Sequence, residues 1–273
     1  MTGSEVPSML WGTQMNMRIN QIRCLNRLSV AMMVLLLLLS FSAHAEESDN
    51  TTSWEYDATV YLWGANITTE TPAGTSVIPF YKLLNNLEMA FMGTFEARKD
   101  NWAFGADAIY MDLERDGGRS IAGPEGGIIS TSNEVALTAW VVTPTARYTL
   151  HQSEKGSFEI VGGFRYLNLD ASARVYTQNV DLLNRSTSES NWDAVIGARA
   201  RINLNKKWYI PLYADIGTGD SDSTWQAMAG IAYRFESMDL TVAYRYLDYD
   251  FEDDLLLDGM TMKGPVAGLT FHF

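Results

Sequence analysis

The sequence predicts an all-β chain closed into an antiparallel transmembrane β-barrel. Three observations predict it. From Trp54 to Phe273 apolar and polar residues alternate with period two, as strands with unlike faces require. The connections between alternating segments are short and long by turns, the pattern of a bacterial outer-membrane barrel with an even strand number. Aromatic residues fall at two levels along the segments, where amphipathic rings at the two headgroup layers belong.

Residues 1–45 stand apart from the fold and read as a signal peptide. Arg18, Arg23 and Arg27 form a basic region, an apolar run follows from Val30 to Leu39, and Ala43-His44-Ala45 supplies small residues for cleavage before Glu46. The run is too short to span a hydrocarbon core, which takes about twenty residues. Met15 and Met17 can each initiate, which would make residues 1–14 a misassigned start. The mature chain, 46–273, is the barrel. It holds no run long enough for a transmembrane helix, so it can enter a membrane only as a closed barrel.

Ten strands are expected, near 54–65, 88–98, 102–114, 133–150, 157–170, 189–204, 208–217, 223–235, 239–250 and 261–273. Short turns are expected near Lys99–Asn101, Gln152–Gly156, Asn205–Lys207 and Glu236–Met238. Longer loops are expected near 66–87, 115–132, 171–188, 218–222 and 251–260. The last segment shows the alternation well: Ala267, Leu269, Phe271 and Phe273 share one face, and Gly268, Thr270 and His272 share the other. With the chain starting in the periplasm, Trp102, Tyr148, Phe158, Trp208, Tyr233, Phe235, Phe271 and Phe273 form the inner girdle. Tyr110, Trp140, Tyr166, Trp192, Trp225 and Tyr246 form the outer one. Pro144, Pro211 and Pro265 each remove a ladder donor, so bulges or strand ends are expected there. Val77–Leu87 does not alternate and reads as a short helix or a folded-in loop, which leaves eight or twelve strands open. A lipocalin-like barrel or a β-sandwich would alternate too, with its apolar face inward.

Composition narrows the function. The 273 residues carry a net charge of −13, with 47 % hydrophobic and 19 % charged residues. That excludes a disordered chain, and the acidity argues against nucleic acid as a partner. The single Cys, Cys24, excludes a disulfide framework or a Cys-rich metal site.

The ending GPVAGLTFHF resembles the C-terminal strand of bacterial outer-membrane proteins. That resemblance implies that Leu269, Phe271 and Phe273 form the signal read by the barrel-assembly machinery during biogenesis. The segments FMGTFEARKDNWAFGADAIYMDL (91–113), DSDSTWQAMAGIAYRF (220–235) and AYRYLDYDFEDD (243–254) are similar to small proteobacterial outer-membrane β-barrel proteins, an uncharacterised branch loosely OmpW-like. The resemblance spans most of 54–273. It implies a fold and a bacterial outer-membrane location, with membrane lipid and lipopolysaccharide as neighbours, and transfers no catalytic residues.

The alternation register turns a set of charges inward: Asp57, Glu96, Arg98, Asp107, Arg147, Glu159, Arg165, Asp193, Arg199, Arg201, Asp215, Arg234 and Arg245. Such a set either fills and rigidifies a narrow barrel as paired charges or lines a small porin-like pore. The paired reading is preferred, because buried charges must be paired. His151 and His272 fall at periplasmic strand ends, away from the outer rim where a catalytic His is expected, and no nucleophile or metal-hydrolase motif occurs. The acids Asp220, Asp222, Asp248, Asp250, Glu252, Asp253, Asp254 and Asp258 cluster in outer loops. They could take a divalent cation, but a solvated acidic rim explains them more simply. The expected protein is a non-enzymatic outer-membrane barrel without cofactor or metal, structural or passing small solutes. The alternatives are a barrel enzyme acting on envelope lipids or peptides and a soluble periplasmic ligand-binding barrel.

Overall fold

A computed structural model describes residues 53–71, 74–85, 87–122, 128–177, 180–251 and 258–273. The expected signal peptide and the acids Glu252, Asp253 and Asp254 lie outside the described residues. The elements are β1 (Glu55–Trp63), β2 (Asn66–Thr71), β3 (Gly74–Ile78), α1 (Phe80–Asn85), β4 (Leu87–Lys99), β5 (Trp102–Ala122), β6 (Ile128–Ser153), β7 (Gly156–Thr177), β8 (Val180–Asn203), β9 (Trp208–Gly219), β10 (Ser221–Arg234), β11 (Met238–Phe251) and β12 (Gly259–His272). Strands β1 and β4 to β12 form a closed antiparallel ring of ten, sealed where β1 pairs with β12. Phe273 completes the seal: its N–H donates to the Tyr56 carbonyl at 2.9 Å, and the Tyr56 N–H returns a bond at 3.2 Å. Closure leaves no free edge in the ring, the condition for β-structure in lipid.

The hairpin β2–β3 and helix α1 fill the first long connection. β2 prolongs β1, because Trp63↔Val266 and Asn66↔Lys263 keep one register against β12. On its other side β1 pairs with β4 only from Glu55↔Arg98 to Val60↔Gly93. Above that point the wall opens and the Trp63 N–H reaches Met92 Sδ at 3.3 Å instead of a carbonyl. Both expectations for Val77–Leu87 are met in part: Val77 and Ile78 end β3, Phe80–Asn85 form α1 and Leu87 begins β4. The Asn66 Oδ1 accepts the Phe80 N–H at 2.9 Å, satisfying one of the donors a helix start leaves over.

Three expectations about connections need correction. The segments 115–132 and 171–188 are mostly strand, paired from Arg115↔Val135 to Ala122↔Ile128 and from Ser172↔Ser186 to Thr177↔Val180. Their sequence is polar at successive positions, so the ladder continues where alternation has stopped. The third, 218–222, is a tight connection from Gly219 to Ser221. The prolines also differ from expectation. Pro144 and Pro211 sit within ladders that lose pairs beside them and resume in the same register, and Pro265 stays paired with Tyr244. Flanking pairs on both sides hold these strands, so a missing donor costs local bonds without a shift. The irregularities fall elsewhere, at Leu87/Met89, Thr149/His151, Val175/Tyr176 and Ser221/Ser223.

The outward face of the ring is apolar. Leu62, Phe104, Phe164, Ile196, Ile216 and Val242 are all exposed, Leu62 at 73 %. Such a continuous apolar surface suits hydrocarbon and not water. The inward face holds the charges, which reverses the soluble alternative. The girdles are cross-strand neighbours: Tyr110↔Trp140 and Tyr166↔Trp192 at one level, Trp102↔Tyr148 and Tyr233↔Trp208 at the other. Their rings meet with centroids 4.5 to 5.0 Å apart.

Candidate functional site

Period two places the lumen side chains. In β11, Asp239, Thr241, Ala243, Arg245, Leu247, Tyr249 and Phe251 point inward, while Leu240, Val242 and Tyr244 face outward. The inward row changes character along the strand, from charged near the short turns to apolar near the long connections. The whole lumen follows that gradient.

Nearest the short turns, two carboxylates meet three guanidinium groups. Glu96 accepts from Arg98 at 2.9 Å and Arg199 at 3.0 Å and is paired with Arg147. Glu159 accepts from Arg98 at 2.7 Å and lies 3.3 Å from Arg147 Nε. These residues come from β4, β6, β7 and β8, so the cluster ties together strands far apart in sequence. Deeper in, Arg245 bonds Asp107 at 2.7 Å, the Tyr61 hydroxyl at 2.9 Å and Gln226 at 2.6 Å, and Tyr61 donates in turn to Asp107 at 2.6 Å. Beside it Arg165 sets one nitrogen, Nη2, against both oxygens of Asp215 at 2.7 and 2.6 Å, while its Nη1 donates to the Thr224 hydroxyl at 2.9 Å. Both members of that pair are wholly enclosed. Close approach to both carboxylate oxygens, with a further hydrogen bond to a hydroxyl, is what helps a buried pair offset desolvation.

Above these ions the lumen is apolar. Trp63, Ile67, Leu83, Met92, Ile109, Met111, Leu113, Val141, Leu167, Leu247, Tyr249, Met260 and Met262 form one buried cluster, with Ile78 packed against it. Ile67, Ile78 and Leu83 come from the β2–β3–α1 segment, which therefore closes the long-connection end from within. The sequence reading allowed a folded-in segment at 77–87 but did not expect it to join an apolar plug. Inward apolar residues satisfy the alternation no less than polar ones, so pattern alone did not distinguish a core from a lining.

Several expected network members sit differently. Asp193 is enclosed but meets no arginine: it accepts the Ser221 N–H and hydroxyl, both at 2.9 Å, and fixes the β9–β10 turn. Asp57 accepts from His272 Nδ1 at 2.6 Å. Arg201 reaches no carboxylate and lies over the Tyr209 ring at 4.9 Å. Arg234 lies over that ring at 5.3 Å, with its Nε 4.0 Å from Asp239. His272 faces the lumen mouth between Asp57 and Asp239, 3.4 Å from the latter. Tyr61, Tyr209, Gln226 and Asp239 went unremarked in the sequence, although the register that turned Arg245 inward turns Asp239 inward too.

Leu269, Phe271 and Phe273 are exposed on the outward face of β12 and its end. Of the outer acids, Asp248 accepts from the Thr261 hydroxyl at 2.7 Å and Asp220 from the Trp192 N–H at 2.9 Å. Among the described residues no three potential metal ligands cluster.

Below the plug lie two hollows that share Asp57, Arg201, Asp239 and His272 in their linings. One of about 200 Å³ lies beside Tyr61, Asp107 and Arg245. The other, of about 570 Å³, opens at the short-turn mouth beside Arg201, Arg234 and His272.

No family model matches the chain, and no curated protein matches it. Among solved structures it is similar to the translocator domain of the autotransporter NalP from Neisseria meningitidis, at 13 % identity and a TM-score of 0.43, covering 91 % of this chain and 98 % of that one. It is similar to Neisserial surface protein A at 11 % identity and 0.32, covering 82 % and 100 %. It is also similar to Ail, the attachment invasion locus protein of Yersinia pestis, at 10 % identity and 0.33, again covering 82 % and 100 %.

Proposed function

We propose that this protein is a non-enzymatic outer-membrane barrel with a sealed lumen, acting structurally and not as an open pore. The apolar outer belt and paired girdles support a place in the outer membrane, with the short turns in the periplasm and β5 to β8 prolonged outside. The location agrees with what the resemblance of 91–113, 220–235 and 243–254 to small outer-membrane barrels implies, and the orientation with the short and long connections taken by turns. The observation that carries the sealed reading is the apolar plug of β2, β3 and α1 above two enclosed arginine clusters. A hydrated ion passing through would have to displace packed Leu, Ile and Met side chains and then separate Arg165 from Asp215. Single-channel conductance tests it. Protein purified from the outer membrane and inserted in a planar bilayer should give no steps above a boiled control. Reproducible steps would overturn the sealed reading and make Arg98, Arg199 and Arg201 selectivity residues. Turnover of lipid A, phospholipid or peptide by the same preparation would instead establish the enzymatic alternative.

A further inference from the structure

Arg201 and Arg234 differ from the other inward arginines. Arg98, Arg147, Arg165, Arg199 and Arg245 each lie within 3.3 Å of a carboxylate. Among the described residues Arg201 has no carboxylate partner, and Arg234 comes no nearer to one than 4.0 Å. Both guanidinium groups lie over the ring of Tyr209, at 4.9 and 5.3 Å from its centre. The ring is fixed, because its hydroxyl donates to the buried Asp239 at 2.7 Å. Two cations held beside one ring repel each other, and stacking on the ring offsets only part of that. Both line the 570 Å³ hollow at the short-turn mouth.

The acids of the same hollow are engaged mainly with other groups, and Asp239 approaches Arg234 only to 4.0 Å. Glu159 is taken by Arg98, Asp57 by His272, and Asp239 by Tyr209 and His272. Glu55 and Glu236 stand at the exposed rim. We infer that Arg201 and Arg234, positioned by Tyr209, form a binding site for a small water-soluble oxyanion, a phosphate or phosphate monoester, entering the lumen from the short-turn side. Planar guanidinium forks suit tetrahedral oxyanions, and two of them beside a partly closed hollow bind more strongly than surface charges. The hollow opens at the short-turn mouth of the ring, and the aromatic Phe235 and Phe273 join its lining, so a phospholipid headgroup is the competing source of the same chemistry that the test must separate. This goes beyond the sealed-barrel reading and does not depend on it, since the site lies below the plug.

Inorganic phosphate is the probe. Calorimetry on the purified protein in phospholipid-free, uncharged detergent should give saturable binding with one phosphate per chain. R201Q and R234Q should each weaken it on the order of tenfold or more, the loss of a charge-assisted contact. R201K and R234K should retain part of it, and E236Q, which removes a negative charge from the rim of the hollow, should not weaken it. Phenylglyoxal labelling of the wild-type protein gives a second readout that needs no variant. Phosphate should protect Arg201 and Arg234 and leave the labelling of other arginines unchanged. No saturable heat, or protection absent at these two residues, would overturn the site. Binding that appears only with phosphatidylglycerol vesicles would overturn the soluble-ligand assignment in favour of a lipid headgroup.

Discussion

The arginines of the lumen look alike in the sequence and play different parts in the structure. Alternation placed Arg165, Arg199, Arg201 and Arg245 on the inward face, because successive side chains of a strand must point to opposite sides. It did not show which acid each would meet. Arg165 passes over its cross-strand neighbour Asp193 for Asp215, and Arg199 crosses from β8 to Glu96 on β4. Such partners depend on how the closed ring staggers its strands, a property of the whole barrel that no single segment carries. The difference has energetic consequences. D215A leaves the enclosed Arg165 unpaired and should lower unfolding stability by about 3–5 kcal/mol. The pair R165M/D215L should recover most of that, because replacing both ions removes the desolvation cost together with the attraction. Urea unfolding of the reconstituted protein, followed by tryptophan fluorescence, reads the cycle, and additive losses would show that the pair is uncoupled. By the same reasoning R199A should cost more stability than R201A, because only Arg199 answers a buried carboxylate.

At the scale of elements, the ten strands of the ring were legible and the segment between β1 and β4 was not. Each ring strand carries an apolar lipid face along its whole crossing, so the period-two signal is strong. The β2–β3–α1 segment packs in several directions at once, with Leu83 buried while Tyr81 and Leu84 are exposed, and leaves no single period to read. The extensions of β5 to β8 were missed for the opposite reason: beyond the membrane neither face needs to be apolar. The last strand gives a test that separates two roles of one residue. Phe273 contributes two backbone bonds to Tyr56 at the β1–β12 seal and an exposed ring outside it. F273A keeps the bonds and removes the ring. Within the assembly-signal proposal it should reduce the folded fraction in cells while leaving the urea midpoint of the purified protein near that of the parent. Deleting Phe273 removes both and should lower the midpoint as well. Equal folded fractions for parent and F273A, compared by the gel mobility of unboiled samples, would remove the ring from the assembly signal.

At the scale of the whole molecule, the spacing of aromatics along the strands fixes how the barrel sits. Trp102 and Tyr110, Trp140 and Tyr148, Phe158 and Tyr166, and Trp225 and Tyr233 are each eight residues apart. At strand rise that is about 26 Å along the strand, or about 20 Å along the bilayer normal at usual barrel tilt, close to the apolar height of known outer-membrane barrels. The same spacing recurs in β5, β6, β7 and β10, so the band is level around much of the ring. It also implies that β7 and β8 continue well past the band beyond Tyr166 and before Trp192. This gives an orientation test, and Cys24 in the expected leader is the sole Cys of the sequence. Ser188 lies exposed on the extension of β8, and Lys155 lies exposed in the β6–β7 turn at the other end. On intact cells S188C should react with a membrane-impermeant maleimide and K155C should not, and both should react once the outer membrane is opened. The reverse pattern would invert the barrel, placing the Arg201–Arg234 mouth outside the cell and exposing its anion site to the medium.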